Sequence, residues 1–314
     1  MKKVLVNHAL SDSLIKKLIE KHKDYNFIVF KNEEEMNEYL SEAEILISWC
    51  TKDMLDRAPK LKWIQVLSAG VDAMPLDEIK KRGIILTNGR GIHKIQMSEY
   101  AIGAMITLSR NFHLMFRNQM QGKWDNNIFQ SEIFNSTVGI LGLGSIGKEV
   151  AKKASQLGMH VVGLKNEAFP VEFVDFVYEY EHIKEVFTQS DYIINLLPNT
   201  KETQGLISKK YFNMMKPSSC FINIGRGKTV NETDLVEALQ NKKIRAAMLD
   251  VFDEEPLSKD SPLWELENVI ITPHICGNSV HYMERALEIV EHNLNAYLNK
   301  NLSMISLVDL NKGY

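Results

Sequence analysis

The sequence predicts an α/β protein made of two doubly wound parallel-sheet domains with a cleft between them. Three observations carry that expectation. Short β-branched runs alternate with amphipathic stretches along most of the chain, the alternation comes in two series, and the second series opens on a glycine-rich turn. A length of 314 residues is also too much for one ordinary core.

In the first series the strand candidates are "KVLVN", "NFIVF", "EILISW", "WIQVL" and "GIILTN". Helical stretches are expected between them at Asp12–Lys21, Glu33–Leu40 and Leu76–Arg82. The second series runs through "TVGILGLG", "HVVGL", "DYIINLL", "CFINI", "AAMLD" and "VIITP". Between the two lies Gln96–Arg117, long and mostly apolar, read as one connecting helix. A last helix is expected after Ser279, ending near Asn299 and returning to the first domain. The expected division is residues 1–100, residues 101–283, and a returning segment of residues 284–314. A cleft between two such sheets is where an open α/β protein binds its ligands.

Composition narrows the partners. A hydrophobic fraction of 45% and a charged fraction of 25% are those of a globular protein in water. The net charge of -3 and the scattered basic doublets argue against a nucleic-acid surface. No apolar run approaches membrane-spanning length, and "MKKVLVNHAL" reads as a strand, not a signal peptide. Cys50, Cys220 and Cys276 form no CxxC and no metal-ligand spacing. Reduced thiols in a cytoplasm, with no metal site, are the simplest account.

The glycine turn is the first motif with chemistry in it. Gly142, Gly144 and Gly147 follow the strand "TVGIL" and open the helical pattern "SIGKEVAKKASQLG". In that context Gly142 permits a tight turn, Gly144 lets backbone approach a pyrophosphate, and Gly147 allows close helix–strand packing. The helix start adds free N–H groups and a positive dipole end for phosphates. A glycine turn alone is weak evidence, but strand before and helix after make a dinucleotide site the better reading.

The next strand then sets the cofactor. Such sites normally end it in an acid that accepts hydrogen bonds from the ribose hydroxyls, whereas "VVGLKNE" ends in Lys165 and Asn166. Lys165 cannot accept those bonds but places positive charge where a 2′-phosphate would lie. NADP is the expected cofactor and NAD the second, with Glu167 as an opposing charge.

Three later segments supply a reactive set. They are "FINIGRGKTV" with Arg226, "LDVFDEEPL" with Glu255 and "NVIITPHICGNS" with His274. Singly, each residue has a dull explanation as a loop ion-pair partner, a solvated acid and a strand-end cap. Together they follow strands, where α/β active sites gather. A guanidinium clamps a carboxylate at two points. A histidine exchanges a proton near neutrality, and a neighbouring carboxylate orients its ring.

At this point the chain resembles the D-isomer-specific 2-hydroxyacid dehydrogenases. The likeness rests on "LSAGVDAMP", "GLGSIGKEVA", "SDYIINLLPNTKETQGLI", "FINIGRGKTV", "DVFDEEPL" and "TPHICG", in the family's order and spacing. It implies a Rossmann cofactor domain beside a flavodoxin-like substrate domain, the latter built from the N-terminal third plus the final helix. It implies a homodimer formed through the cofactor domains. Arg226, Glu255 and His274 fall on the catalytic positions, and the backbone of Ala69, Gly70 and Val71 on the substrate carboxylate cradle. Cofactor contacts are implied at Gly142, Gly144, Ser145, Ile146, Gly147, Lys165, Asn166, Leu197, Pro198, Thr203, Ile224, Gly225, Arg226, Asp250, His274 and Gly277.

Two departures stand out. Ser98-Glu99-Tyr100 replaces a common Ala-Glu-His, and Cys276 replaces a common alanine. Neither touches the catalytic three, so both bear on substrate preference, and Cys276 reads as a small packed side chain. The expected function is hydride transfer between NADP(H) and a small 2-keto or 2-hydroxy acid. The alternatives are a short NAD-dependent phosphoglycerate dehydrogenase without its regulatory domain, and a nucleotide-sensing corepressor-like binding protein. The second is disfavoured by the lack of long disordered extensions.

Overall fold

The computed structural model describes residues 1–8, 10–71, 73–299 and 303–311. Asp72 of the "LSAGVDAMP" segment lies outside the described residues, as do 300–302 and 312–314 of the expected returning segment. The chain divides into two units, Met1–His93 with Ser279–Tyr314, and Lys94–Asn278.

The first unit contains β1 (Lys2–Asn7), α1 (Asp12–Lys21), β2 (Tyr25–Phe30), α2 (Glu33–Leu40), β3 (Ile45–Ile47), α3 (Lys52–Arg57), β4 (Trp63–Gln65), α4 (Leu76–Lys81) and β5 (Ile85–Thr87). Its sheet runs β2-β1-β3-β4-β5, all parallel. This is the flavodoxin-like order, which reverses direction at β1. All three residues of β3 are buried, as expected for a strand covered on both faces. α1 turns Ile15 and Leu18 inward, and α2 starts on Asn32, whose side chain accepts the Glu35 N–H.

The second unit contains α5 (Lys94–Ser109), α6 (Phe112–Met120), β6 (Thr137–Leu141), α7 (Ser145–Gln156), β7 (His160–Leu164), β8 (Phe176–Tyr178), α8 (Ile183–Gln189), β9 (Tyr192–Asn195), α9 (Lys209–Phe212), β10 (Cys220–Asn223), α10 (Glu232–Gln240), β11 (Ala246–Leu249) and β12 (Val269–Ile271). Its seven strands lie in the order β8-β7-β6-β9-β10-β11-β12, again all parallel. Chain direction across the sheet reverses at β6, between β7 and β9. That is the switch point at which a Rossmann sheet binds its ligand.

The final helix, α11 (Tyr282–Leu298), belongs to the first unit. Its Leu287, Val290 and Leu294 pack with Val4, Val6, Ile45, Ile47 and Trp63. A buried polar chain adds direction to that packing. Asn293 Nδ2 donates to Gln65 Oε1 at 2.9 Å, and Thr87 donates to the same oxygen at 2.8 Å.

Two expectations differ from the structure. The stretch Gln96–Arg117 is two helices, because Asn111 sits in the left-handed region at φ 49° and its side chain donates to the Phe129 carbonyl. Asparagine tolerates that conformation, and a helix cannot continue through it. The expected boundaries at residues 100 and 283 would cut α5 and α11. The units part at His93/Lys94 and Asn278/Ser279 instead, so each helix packs whole within one unit.

Candidate active site

The glycine turn at the end of β6 has the shape its residues require. Gly142 has φ 107°, a conformation open to glycine and strained for other residues. A side chain at Gly147 would bring its Cβ to 2.2 Å from the Gly142 carbonyl oxygen, so the helix approaches the turn as closely as backbone allows. At Gly144 a Cβ would meet nothing within 4 Å. The space over that residue is open, and α7 begins there without a side-chain cap on its N–H groups. Turn, open space and uncapped helix start, which Ser145 and Ile146 open, together fit a dinucleotide's phosphates.

The turn is also tied to the end of β7. The N–H groups of Gly142 and Leu143 both donate to the Leu164 carbonyl, one residue before Lys165. Lys165 is half-buried, with its Nζ 3.8 Å from the centre of the Phe169 ring, while Asn166 and Glu167 are exposed. On the other side of β6, Leu197 is buried and the Thr203 hydroxyl accepts from Thr200 N and donates to the Pro198 carbonyl at 2.6 Å. Thr203 therefore shapes the loop after β9 from within.

Arg226 follows β10, and buried side chains hold its loop. Asn195, at the end of β9, donates to Asn223 Oδ1 at 2.9 Å and to Thr229 Oγ1 at 2.8 Å. Thr229 passes the bond on to the Arg226 carbonyl at 2.6 Å, and Asn195 Oδ1 takes the Leu197 N–H at 3.2 Å. These residues escaped the sequence reading. The signal for them was an asparagine ending each of the apolar strands "YIIN" and "CFIN". Ile224 is buried beside them, and a Cβ on Gly225 would lie 3.0 Å from the Leu196 backbone. A Cβ on Gly227 would lie 1.8 Å from the Phe252 carbonyl oxygen, so the arginine loop rests directly on the segment leading to Glu255.

Glu255 and His274 meet. Glu255 Oε2 is 2.7 Å from His274 Nδ1, and Oε1 accepts the Phe252 N–H at 2.9 Å, so both carboxylate oxygens are engaged. His274 has φ 52°, unusual for a residue with a side chain. Its loop hangs on Asp250, which is wholly buried. The Asp250 carboxylate accepts from the Thr272 hydroxyl at 2.6 Å and from the Ile275 and Cys276 N–H groups at 3.0 Å each. The implied cofactor role of Asp250 has to share those oxygens with the loop. Cys276 is buried, and burial lifts its thiol far above the ordinary range, which leaves a packed and unreactive side chain. The Gly277 carbonyl accepts from Gln96 Nε2 at 3.0 Å.

In the first unit, the loop after β4 turns its carbonyls inward. Those of Leu67, Ser68, Ala69 and Gly70 accept from Tyr282, Gly89 N, Asn88 and Ser68 Oγ respectively. The N–H groups of Ala69, Gly70 and Val71 donate to no described residue, which suits a cradle for an anion. Among the described residues no cluster of His, Cys, Asp or Glu could hold a metal, and no helix is long and apolar enough to cross a membrane.

A glycine turn that fits a dinucleotide, with a carboxylate–imidazole pair at the carboxyl end of the same parallel sheet, is the pattern of a nicotinamide-dependent oxidoreductase. The family description "D-isomer specific 2-hydroxyacid dehydrogenase, NAD binding domain" matches residues 102–276, and the chain belongs to that family. Among its relatives, the D-3-phosphoglycerate dehydrogenase of Methanocaldococcus jannaschii is 32% identical over 96% of this chain, which spans 59% of that protein's length. A D-isomer specific 2-hydroxyacid dehydrogenase family protein of Aeromonas salmonicida has a solved structure that is 33% identical. It aligns over 98% of this chain and 99% of that one with a TM-score of 0.88. The NADPH-dependent glyoxylate/hydroxypyruvate reductase of Sinorhizobium meliloti, solved with NADP and sulfate, is 26% identical over 100% of both chains, with a TM-score of 0.85.

The two inner glycines separate folding from binding. Gly147→Ala should destabilise the protein by about 1–3 kcal/mol, the usual cost of forcing an atom into a packed contact. Gly144→Ala should unfold at the native denaturant midpoint yet bind NADPH about 10-fold or more weakly, because its methyl fills only the open space. Urea unfolding and NADPH fluorescence titration measure the two. Native affinity in Gly144→Ala would place the phosphates elsewhere.

Proposed function

We propose that this chain reduces small 2-keto acids to D-2-hydroxy acids with NADPH as the favoured hydride donor. The observation that carries the reading is the 2.7 Å contact between Glu255 and His274 Nδ1. With Nδ1 so engaged, Nε2 is the ring nitrogen left to serve a substrate oxygen. The bound cofactor supplies a hydride for the keto carbon. His274 gives its proton to the alkoxide that forms, and Glu255 holds the ring in place while it does so. Arg226 grips the substrate carboxylate and polarises the carbonyl. Glyoxylate and hydroxypyruvate are the first acids to test, supported by what the Sinorhizobium meliloti relative is named for.

The preference for NADPH rests on Lys165, which stands where an NAD site carries an acid. Two further proposals concern the whole protein. Phe116, Met120, Trp124, Phe129 and Phe134, all in the second unit, are 61–95% exposed. So much bare apolar surface supports a homodimer through the cofactor domains. Three free, buried cysteines fit a reducing cytoplasm.

His274→Ala should cut kcat by roughly 100- to 10,000-fold, the range for losing general acid catalysis, with NADPH affinity kept. Steady-state assays on glyoxylate and hydroxypyruvate decide it, and near-native turnover removes His274 from the chemistry. The native enzyme should favour NADPH over NADH by roughly 10- to 100-fold in kcat/KM, since a charge-assisted bond contributes about 1.5–3 kcal/mol. Lys165→Asp should erase or reverse that ratio, and an unchanged ratio would mean that Lys165 does not read the cofactor. For the dimer, sedimentation equilibrium should return twice the chain mass of 36.0 kDa, and a single-chain mass rejects it.

A further inference from the structure

Helix α5 holds both ends of the loop that carries His274. Gln96 donates to the Gly277 carbonyl at one end of the loop, and the Tyr100 hydroxyl meets Thr272 Oγ1 at 2.5 Å at the other. Positions four apart lie on one helix face, so a single stripe of α5 grips Thr272 and Gly277. Sequence reading tied Tyr100 to substrate preference. The structure instead bonds its hydroxyl two residues from His274.

The direction of each bond follows from the chemistry of the groups. A carboxylate oxygen only accepts, so Thr272 spends its one hydroxyl proton on Asp250 Oδ1. The Thr272 oxygen must then accept, and Tyr100 is the donor. Burial holds the Tyr100 phenol far above its ordinary range, which keeps that proton in place. The next links leave Asp250. Its side chain accepts from Ile275 N and Cys276 N, and its carbonyl accepts from His274 N at 2.9 Å. These bonds bracket the one residue of the loop with positive φ, a conformation that persists only where its surroundings over-determine it.

We propose that Tyr100 is a positioning residue for His274, acting through Thr272 and Asp250. Its hydroxyl orients Thr272, Thr272 orients the Asp250 carboxylate, and the carboxylate fixes the backbone on either side of the histidine. The kinetic consequence rests on the catalytic role of His274 given under Proposed function. The structural consequence does not.

The test compares Tyr100→Phe, Thr272→Val and Thr272→Ser with the native protein. Amide hydrogen exchange is read on protein free of substrate. In Tyr100→Phe the Ile275 and Cys276 amides should exchange about 5- to 10-fold faster, the size expected for one lost hydrogen bond, while the amides of α10 keep their native rates. Thr272→Ser, which keeps the hydroxyl, should restore native protection. In turnover, kcat for Tyr100→Phe should fall about 10-fold with NADPH affinity unchanged. Added to Thr272→Val, the same substitution should do nothing more, because one chain carries both effects. Native exchange at Ile275 and Cys276 in Tyr100→Phe overturns the proposal, and so does simple additivity of the two substitutions. A native enzyme that reduces no keto acid would sink the proposed function alone, leaving the exchange comparison to decide the role of Tyr100.

Discussion

The buried carboxylate of Asp250 organises the carboxyl end of the second unit's sheet. A charge taken wholly out of water is tolerated only when hydrogen bonds replace its hydration. Asp250 finds its donors in the Thr272 hydroxyl and in two successive backbone N–H groups, all from one loop. The loop therefore cannot relax without stranding the charge, and His274 is kept in a backbone conformation it would not choose. Asp250 stands at the end of β11 and its own N–H donates to the Asn223 carbonyl at the end of β10. The histidine loop and the arginine loop thus hang from neighbouring strand ends, and the register of the parallel sheet fixes the spacing of their roots.

A second buried set does for the arginine loop what Asp250 does for the histidine loop. The Asn195 side chain serves two acceptors and one donor, which adds to the backbone bonds that join the loop after β9 to the turn after β10. Amides suit this place because each carries donors and an acceptor without a charge to compensate. Gly225 and Gly227 complete the arrangement by letting backbone touch backbone. The Leu196, Arg226 and Phe252 segments then behave as one layer, with Glu255 clamped to its edge through the Phe252 N–H.

Much of this was legible in the residues, for identifiable reasons. α1 and α2 were expected at their observed bounds, because their apolar spacing is regular and polar residues precede them. The glycine turn was legible because Gly142 and Gly147 answer steric demands that no other residue meets. Glu255 and His274 were legible as a chemical pair, although only the fold brings residues 19 apart to hydrogen-bond distance. The break at Asn111 was hidden, since asparagine in an apolar stretch does not announce a left-handed backbone. β8 was hidden because Phe176–Tyr178 sits between Asp175 and Glu179 and not in a longer apolar run. Asn195, Asn223, Thr229 and Tyr100 were hidden for a deeper reason. Their partners are distant in sequence, and a polar residue shows its purpose only when the burial around it is known.

The opposite edge of the same sheet follows a softer logic. Lys165 rests over Phe169 in a stacking contact of the kind that contributes about 0.5–1 kcal/mol where water has access. A charge-assisted bond to a phosphate contributes about 1.5–3 kcal/mol, so on the proposed reading the stack would steady the lysine without competing with a phosphate. Two nearby acids carry the opposite charge, and they differ in how far they oppose it. Glu179 is committed to the Ala168 N–H at 3.0 Å, which fixes the loop and occupies one of its oxygens. Glu167 is exposed, so salt largely screens it from any charge more than a Debye length, about 8–10 Å, away. The loops that carry His274 and Arg226 are held by buried side chains. On the proposed reading, cofactor choice would rest on the difference between a weak stack and a stronger ion contact, which would make it the part of the site that a single substitution can most easily retune.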